Sequence, residues 1–546
     1  MKRLSILLMI SALVCVMAAT VYIASPYAPV VQPVAEIERI WEIEDTREES
    51  SVPLVTALEN NGVPLMHDAA EDAFYCTLGL NHGDEWPDIH LTAPGAKGVE
   101  LVFVDDYSYD WCADALFMGY PYQILAYTDT AYQYIQVVFT GLPMVSIESG
   151  EEITTLDTEA VVTVSAYGAQ PVSSRALVHH RGGGTLDQEK KNFKIDFVRD
   201  ARGRGNTVDL PGFGLREDII LNGMVFDELL VRDRLSWAVY EAMLGDEADG
   251  AFAQRKTAYA ELFVGGEYRG VYLMMEPMNA QDELRKAGDA HLMEDSVYRS
   301  LIRWFADGER PLELNPCNEN SYFEMRYAPS QAQPFAGLQR YLALLTCEDD
   351  ETFARMAAQS VDMESLVRYV LLRQAGALTD NVHNNMYLWA RREQDGVRYA
   401  FVPWDLDMTW GKNDQKLGES FENWLAFPLA DRILALNAGG AAQMMVDQWR
   451  SWRGEIFTTE NIEQILMAYS EELSASGAVA RNAMRWEISI DDTGGSEIVY
   501  FAQMRFEAMD RAMDQVEQML QGGEVPAFLA ADGYAHSSTP IFDANE

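Results

Sequence analysis

The sequence predicts an α+β chain: a small β-rich N-terminal domain, a mixed core and a helical C-terminal end. Three observations carry this. Short strand-type runs such as VELVFVDDYSYDW and YQYIQVVF, broken by Gly, Pro and Asp, fill residues 71–142. Strand and helix patterns then mix over residues 143–415, and beyond about Glu419 the spacing is mostly helical to Gln521. Finally, 546 residues with 48% apolar and 11% aromatic side chains can bury a sizeable core, with roughly two to four domains.

The elements follow in order. Lys2 and Arg3 precede an almost uncharged run from Leu4 to about Ala24. Its length lies between the apolar part of a signal peptide and a short membrane span, and Val16-Met17-Ala18 offers a small-residue cleavage site. Residues 1–25 are therefore expected to be a signal peptide or signal anchor, placing everything downstream outside the membrane. Residues 26–70 read as a linker or one short helix, given three early prolines and the acidic stretch EIERIWEIEDTREES. In the core, PMVSIES, AVVTVSAY and KKNFKIDFV read as strands. Asp227–Met243 has helical spacing, with Leu230, Val231, Leu235, Ala238 and Val239 on one face. AYAELFV and EYRGVYLMME form a hairpin through Gly265-Gly266. Asp362 is placed to cap a helix that carries Leu366, Val367, Val370, Leu371, Ala375 and Leu378 inward. Residues 416–525 are expected to be the helical C-terminal part of the core, and 526–546 a loose tail.

Charge narrows the function. With 85 Asp and Glu against 41 Lys and Arg, the formal net charge is −44. That excludes nucleic acid as the main partner, because phosphate binding needs a concentrated basic surface. It leaves cations and basic polypeptides, although most surface acids merely solvate. Beyond Cys15, the cysteines are Cys76, Cys112, Cys317 and Cys347, none in a metal-binding spacing. Two disulfides and four buried thiols are both open.

The stretch TDNVHNNMYLWARREQDGVRYAFVPWDLDMTWG, Thr379 to Gly411, carries chemistry. Asp380 follows a predicted helix, and Asn385 lies five residues later. Two strand runs, Met386–Ala390 and Val397–Val402, join through Asp395-Gly396, a hairpin-turn signal. A hairpin brings its ends together, so Asp380 and Asn385 should lie beside Asp405 and Asp407. Carboxylates and amide oxygens in that arrangement suit a hard cation such as Mg²⁺, with room for phosphate oxygens. An Asp, four residues, an Asn, a hairpin and a metal-binding Asp is also the logic of phosphoryl transfer in protein kinases. Taken alone, Asp405-Leu406-Asp407 also reads as a turn with a helix cap. Upstream, RGGGTLDQEKKNFKIDF runs from Arg181 to Phe197. Gly182, Gly183 and Gly184 would let backbone amides approach phosphates, with Lys190 or Lys191 supplying charge. A plain glycine turn before a strand is the alternative. His179, His180 and His383 have no metal-ligand spacing.

Taken in order, the segments TGLPMVSIES, RGGGT with KKNFKI, DIILNGMVFDELLVRDRLS, AELFVGGEYRGVYLMMEPM, D-x4-N-x-Y-L and FVPWDLDMTWG resemble the CotH family of spore-coat-protein-H-like atypical kinases. RNAMRWE and the region of Arg505 resemble that family's helical end, so coverage is about residues 140–520. The resemblance implies a divergent atypical protein-kinase-like fold that binds ATP with a divalent metal, Mg²⁺ first and Mn²⁺ or Ca²⁺ as alternatives, and phosphorylates protein Ser or Thr. By position, Asp380 corresponds to the catalytic Asp, and Asn385, Asp405 and Asp407 to metal-side residues. Lys191, Arg181 and Arg232 fall on the nucleotide side, with Glu276 as a partner for Lys191 or as a solvated edge carboxylate. Arg232 sits where the family shows Arg-Asn, and Asp233 replaces the Asn. The function expected is an exported or membrane-anchored kinase with a basic, Ser/Thr-rich protein substrate. The membrane enters only through the N-terminal segment if that stays uncleaved. The alternative is a non-catalytic cell-surface or spore-coat scaffold.

Overall fold

The computed structural model describes residues 29–32, 35–80, 89–104, 121–200, 202–248, 250–301, 323–330, 332, 335–381, 384–412, 421–488, 495–530 and 538–540. The N-terminal run at 1–25, Cys112, Cys317, His383 and the DDYSYDW end of VELVFVDDYSYDW lie outside them. The chain is mixed α+β, β-rich towards the N-terminus and helical towards the C-terminus. It divides into two compact units, each built from separate stretches of sequence.

The first unit comprises Met1–Gly223, Thr257–Met275 and Glu471–Ile490. Its centre is a closed seven-stranded barrel. The strands are β1 (Met144–Ser149), β2 (Thr158–Ser165), β3 (Val172–Arg181), β4 (Asn192–Phe197), β5 (Asp218–Asn222), β6 (Thr257–Val264) and β7 (Glu267–Met275). Neighbours run antiparallel around the ring β1-β2-β3-β4-β5-β7-β6, and β6 closes on β1 in parallel. Alternation explains the core: Val145 and Ile147, Val162 and Val164, Phe193, Ile195 and Phe197 point inward and are buried together. Gly265 and Gly266, at φ 61° and 74°, make the tight β6–β7 turn that the sequence announces.

Residues expected to form a linker join a seven-stranded sheet beside the barrel. Val31–Gln32 pairs with Glu100–Phe103, Glu48–Glu49 with Ala131–Thr140, and Met66–Asp68 with Ala73–Thr77. The acidic stretch does form one helix, Ile37–Thr46, which buries Ile40 and Ile43. Strands of two or three residues carry no periodicity, so local pattern does not mark them and only the partner strand defines them.

Helix α3, Ala478–Trp486, returns to the barrel late in the chain. Arg481 makes a two-point pair with buried Glu261, through Nε and Nη2 at 2.9 Å each, and Tyr268 donates to the same carboxylate. Asn482 Oδ1 accepts from Val271 N and from Lys190 Nζ. Gly270 sits at φ 83°, and a side chain there would run into Asn482 and Trp486, so the close approach requires glycine.

The second unit comprises Met224–Lys256, Glu276–Ser470 and Asp491–Glu546. An antiparallel sheet runs β9 (Phe323–Tyr327), β8 (Ser296–Leu301), β10 (Asn384–Glu393) and β11 (Gly396–Pro403). Around it lie α1 (Arg232–Leu244), α2 (Met363–Ala375) and α4 (Ser496–Leu520). Asp362 caps α2 by accepting from Ser365 N, and the six residues expected to face inward are all buried. α1 begins at Arg232 rather than Asp227, because Leu230 is held at φ 61°, outside helical backbone. Asp227 instead accepts from Arg232 N across the helix start. Within the expected tail, Ser538–Pro540 pairs with Asn423–Leu425. No helix among the described residues is long and apolar enough to cross a membrane. Cys76 and Cys347 are free thiols.

Candidate metal centre

The β10–β11 hairpin works as its sequence demands, with one shift: the turn residues are Gln394 and Asp395, since Glu393 pairs with Gly396. At the open end, Trp404 N donates to Asn385 O at 3.0 Å. That register sets Asn385 against the residue preceding Asp405. Asn385 and Asp405 both adopt left-handed backbone, at φ 53° and 60°. Such positions are strained in non-glycine residues and persist where surrounding structure imposes them.

Asn381 imposes much of it. Its Nδ2 donates to Asn385 O at 3.1 Å and to Trp404 O at 2.6 Å, so one buried amide ties both strands at the hairpin base. Tyr369 of α2 anchors the same loop by donating to Asn381 O. Asn381 Oδ1 is buried with no hydrogen-bond donor among the described residues. Asp380, just past α2, is exposed as a residue and accepts from Asn385 Nδ2 at 2.7 Å. Arg299 of β8 donates to Asn385 Oδ1 at 3.2 Å, which leaves the Asn385 amide held from both sides.

The Asp405–Asp407 turn rests on α1. Ser236 contacts Leu406 O and Thr409 Oγ1, Trp410 Nε1 donates to Ser236 at 2.9 Å, and Trp237 packs edge-on against Trp404. Asp407 is held far above the ordinary carboxylate range, chiefly by burial and then by the charges of Asp405, Asp233, Asp380 and Asp227. The sequence places Asp380, Asn385, Asp405 and Asp407 at this hairpin base, and its spacing singles out none of Asp227, Asp233, Arg299 and Asn381. The hairpin argument reaches along one segment, whereas Asp227, Asp233 and Arg299 arrive from other elements. Asn381 lies inside the segment, where no spacing singles it out.

The residues assigned to the nucleotide side are spread more widely. Arg181 ends β3 and belongs with Lys191 to the barrel unit; Arg232 and Glu276 belong to the other. Gly182, at φ 120°, sets the turn before β4, where the Thr185 hydroxyl fills the place a side chain would take. Lys191 Nζ donates to Leu186 O at 2.6 Å, and its side chain lines a cavity of about 310 Å³ with His180, Phe193, Arg269, Tyr272 and Trp486. Burial, and next the Lys191 charge, lower the His180 pKa. Lys190 is buried, bonded to Val271 O and Asn482 Oδ1, and burial pushes its pKa down to about 7. The Arg232 guanidinium is taken up by Asp227 and Glu497, and Glu276 lies 3.7 Å from Lys286. A separate group, Asp157, His179 and Asp196 on the barrel, brings three metal-capable atoms within 4.8 Å of one another. Lys194 already neutralises Asp196 and Asp218 there, at 2.7 and 2.6 Å.

The description CotH kinase protein matches residues 178–512 of the chain. The chain belongs to the CotH family. The CotH match begins near the end of β3 and runs into α4, covering every candidate site residue above except Asp157; TGLPMVSIES and the N-terminal sheet lie before it. No curated protein matches the chain. The CotH residues Asp380, Asn385, Asp405 and Asp407 offer oxygen atoms only, with no thiol and no described imidazole among them. That donor chemistry fits a hard divalent cation and not a zinc-type site.

Proposed function

We propose that the protein is an exported or membrane-anchored atypical protein kinase that transfers the γ-phosphoryl group of ATP to Ser or Thr of a basic protein. The observation that carries this reading is the joining of Asp380, Asn385, Asp405 and Asp407 at one hairpin base. A divalent cation there would neutralise phosphate charge, held by Asn385, Asp405 and Asp407. Asp380 orients the attacking hydroxyl and takes its proton at a carboxylate oxygen, while the Asn385 amide fixes the carboxylate's direction. Arg299 fixes that amide in turn. Lys191, whose Nζ donates to the Leu186 carbonyl, is the lysine assigned to the nucleotide's phosphates. Arg181, Arg232 and Glu276 keep the nucleotide-side roles that the resemblance implies. An acidic surface of net charge −44 complements a cationic, Ser/Thr-rich substrate.

The test supplies the full chain with labelled ATP, a basic Ser-rich protein and Mg²⁺, Mn²⁺ or Ca²⁺. Wild type transfers label, and Asp380→Asn and Asp405→Asn lose it. If wild type neither binds ATP nor transfers label with any metal, the fold serves as a non-catalytic surface scaffold. If both variants keep full transfer, the chemistry sits elsewhere.

A further inference from the structure

Strand β8 pairs with β10 through a bulge at the hairpin base. Arg299 stands opposite Tyr387 and Leu301 opposite Asn384, so Asn385 and Met386 face the single residue Ser300. Bulges bend a strand and re-aim its side chains. Here the irregularity coincides with the left-handed backbone of Asn385, whose Oδ1 accepts from Arg299 Nη2 at 3.2 Å. Asp380 takes the other end of the same amide. Arg299 thus stands one side chain away from Asp380.

Arg299 is a half-buried cation without a counter-charge. Among the described residues its hydrogen bond goes to that neutral amide, it forms no ion pair, and its buried Nε has no acceptor. Arg232, Arg255 and Arg391 also carry a buried Nε without an acceptor, but each guanidinium rests on a carboxylate. In a chain with 85 acids against 41 bases, an arginine left without one at the candidate site calls for an anion from outside. We propose, resting on the phosphoryl-transfer reading above, that Arg299 is a phosphate-binding residue of this site, donating N–H groups to the terminal phosphoryl group of a nucleoside triphosphate. A guanidinium is permanently charged, and its planar fork matches phosphate oxygens. The terminal group is the one that must meet the hydroxyl oriented by Asp380, and Arg299 reaches Asp380 through one amide. No bond or proton changes hands at Arg299; it offsets charge on the phosphoryl oxygens.

The experiment measures equilibrium binding of ATP and of ADP to the full chain with Mg²⁺, and of Mn²⁺ alone by calorimetry. Wild type should prefer ATP over ADP. Arg299→Gln should weaken ATP binding by roughly tenfold or more and leave ADP binding unchanged, erasing that preference. Arg299→Lys, which keeps the charge and loses the fork, should fall between. Mn²⁺ affinity should stay level or rise in Arg299→Gln, because a positive charge beside the cation-binding residues is gone. Arg326→Gln, on the neighbouring β9 and paired only with Glu324, should match wild type in all three. Joint loss of ATP, ADP and Mn²⁺ binding in both Arg299 variants would show that Arg299 merely holds Asn385, which overturns the assignment. A wild-type ATP-to-ADP ratio in Arg299→Gln overturns it too, and leaves the kinase reading intact. Failure of wild type to bind ATP sinks both. Arg299-dependent ATP binding without phosphoryl transfer to protein supports the phosphate site and sinks the kinase.

Discussion

Asn385 Nδ2 donates to Asp380 Oδ2 at 2.7 Å, joining the carboxylate after α2 to the first residues of β10. The same amide accepts from Arg299 through Oδ1, so rotating it would break both contacts. Asp380→Asn should therefore lower phosphoryl transfer by about 10²-fold or more, the usual range for losing a positioned base. Stability should change little, since Asp380 is exposed. A loss in chemical-denaturation midpoint matching the loss of activity would assign Asp380 to the fold instead.

Asp405 separates strain from chemistry. At φ 60° an L-residue is strained, so Asp405→Gly should relieve backbone cost and stabilise the metal-free protein by up to about 1 kcal/mol. The same change removes a metal-side carboxylate and should abolish transfer. Asp405→Asn should abolish transfer without that gain. Paired thermal unfolding and activity assays read both, and an active Asp405→Gly protein would remove Asp405 from the site.

Lys190 predicts an alkaline pH dependence. Burial lowers its folded pKa to about 7, against 10.5 for the ordinary side chain. Between those values the unfolded chain binds the proton and the folded protein does not, so this group's contribution to stability rises with pH across that window. Below about pH 7 both states are protonated and the slope vanishes. Lys190→Met should flatten the wild-type rise in melting temperature from pH 7 to 10. An identical profile in the variant would show that Lys190 stays charged when folded.

Arg481 and Glu261 form a buried ion pair, with side chains 3% and 0% exposed. Removing one partner strands the other charge, so Arg481→Met or Glu261→Gln should each destabilise the protein by about 3–5 kcal/mol. Replacing both should cost less than the sum. Urea midpoints for the two single variants and the double form the cycle, and strict additivity would show that the pair is not coupled.

Much of the site was legible because its core is local. Asp380, Asn385, Asp405 and Asp407 flank one hairpin, and alternating apolar residues around a turn force its ends together. The α2 cap at Asp362 and the Gly265-Gly266 turn were readable for the same reason, since each depends on neighbours within a few residues. The N-terminal strands were not, because Val31–Gln32 and Glu48–Glu49 are strands only through partners far along the chain.

By itself the sequence determined the α+β composition and the placing of four residues around one hairpin, both consequences of local periodicity and spacing, and its ordered segments carried the resemblance to the CotH family. Tertiary structure alone decided that the barrel closes through a parallel β1–β6 pair, that α3 returns to bury Lys190 and Glu261, and that Asp407 is buried among the charges of Asp405, Asp233, Asp380 and Asp227. Those facts join residues tens to hundreds of positions apart. Burial and charge crowding depend on what packs against a side chain, and no spacing rule within a segment carries that information.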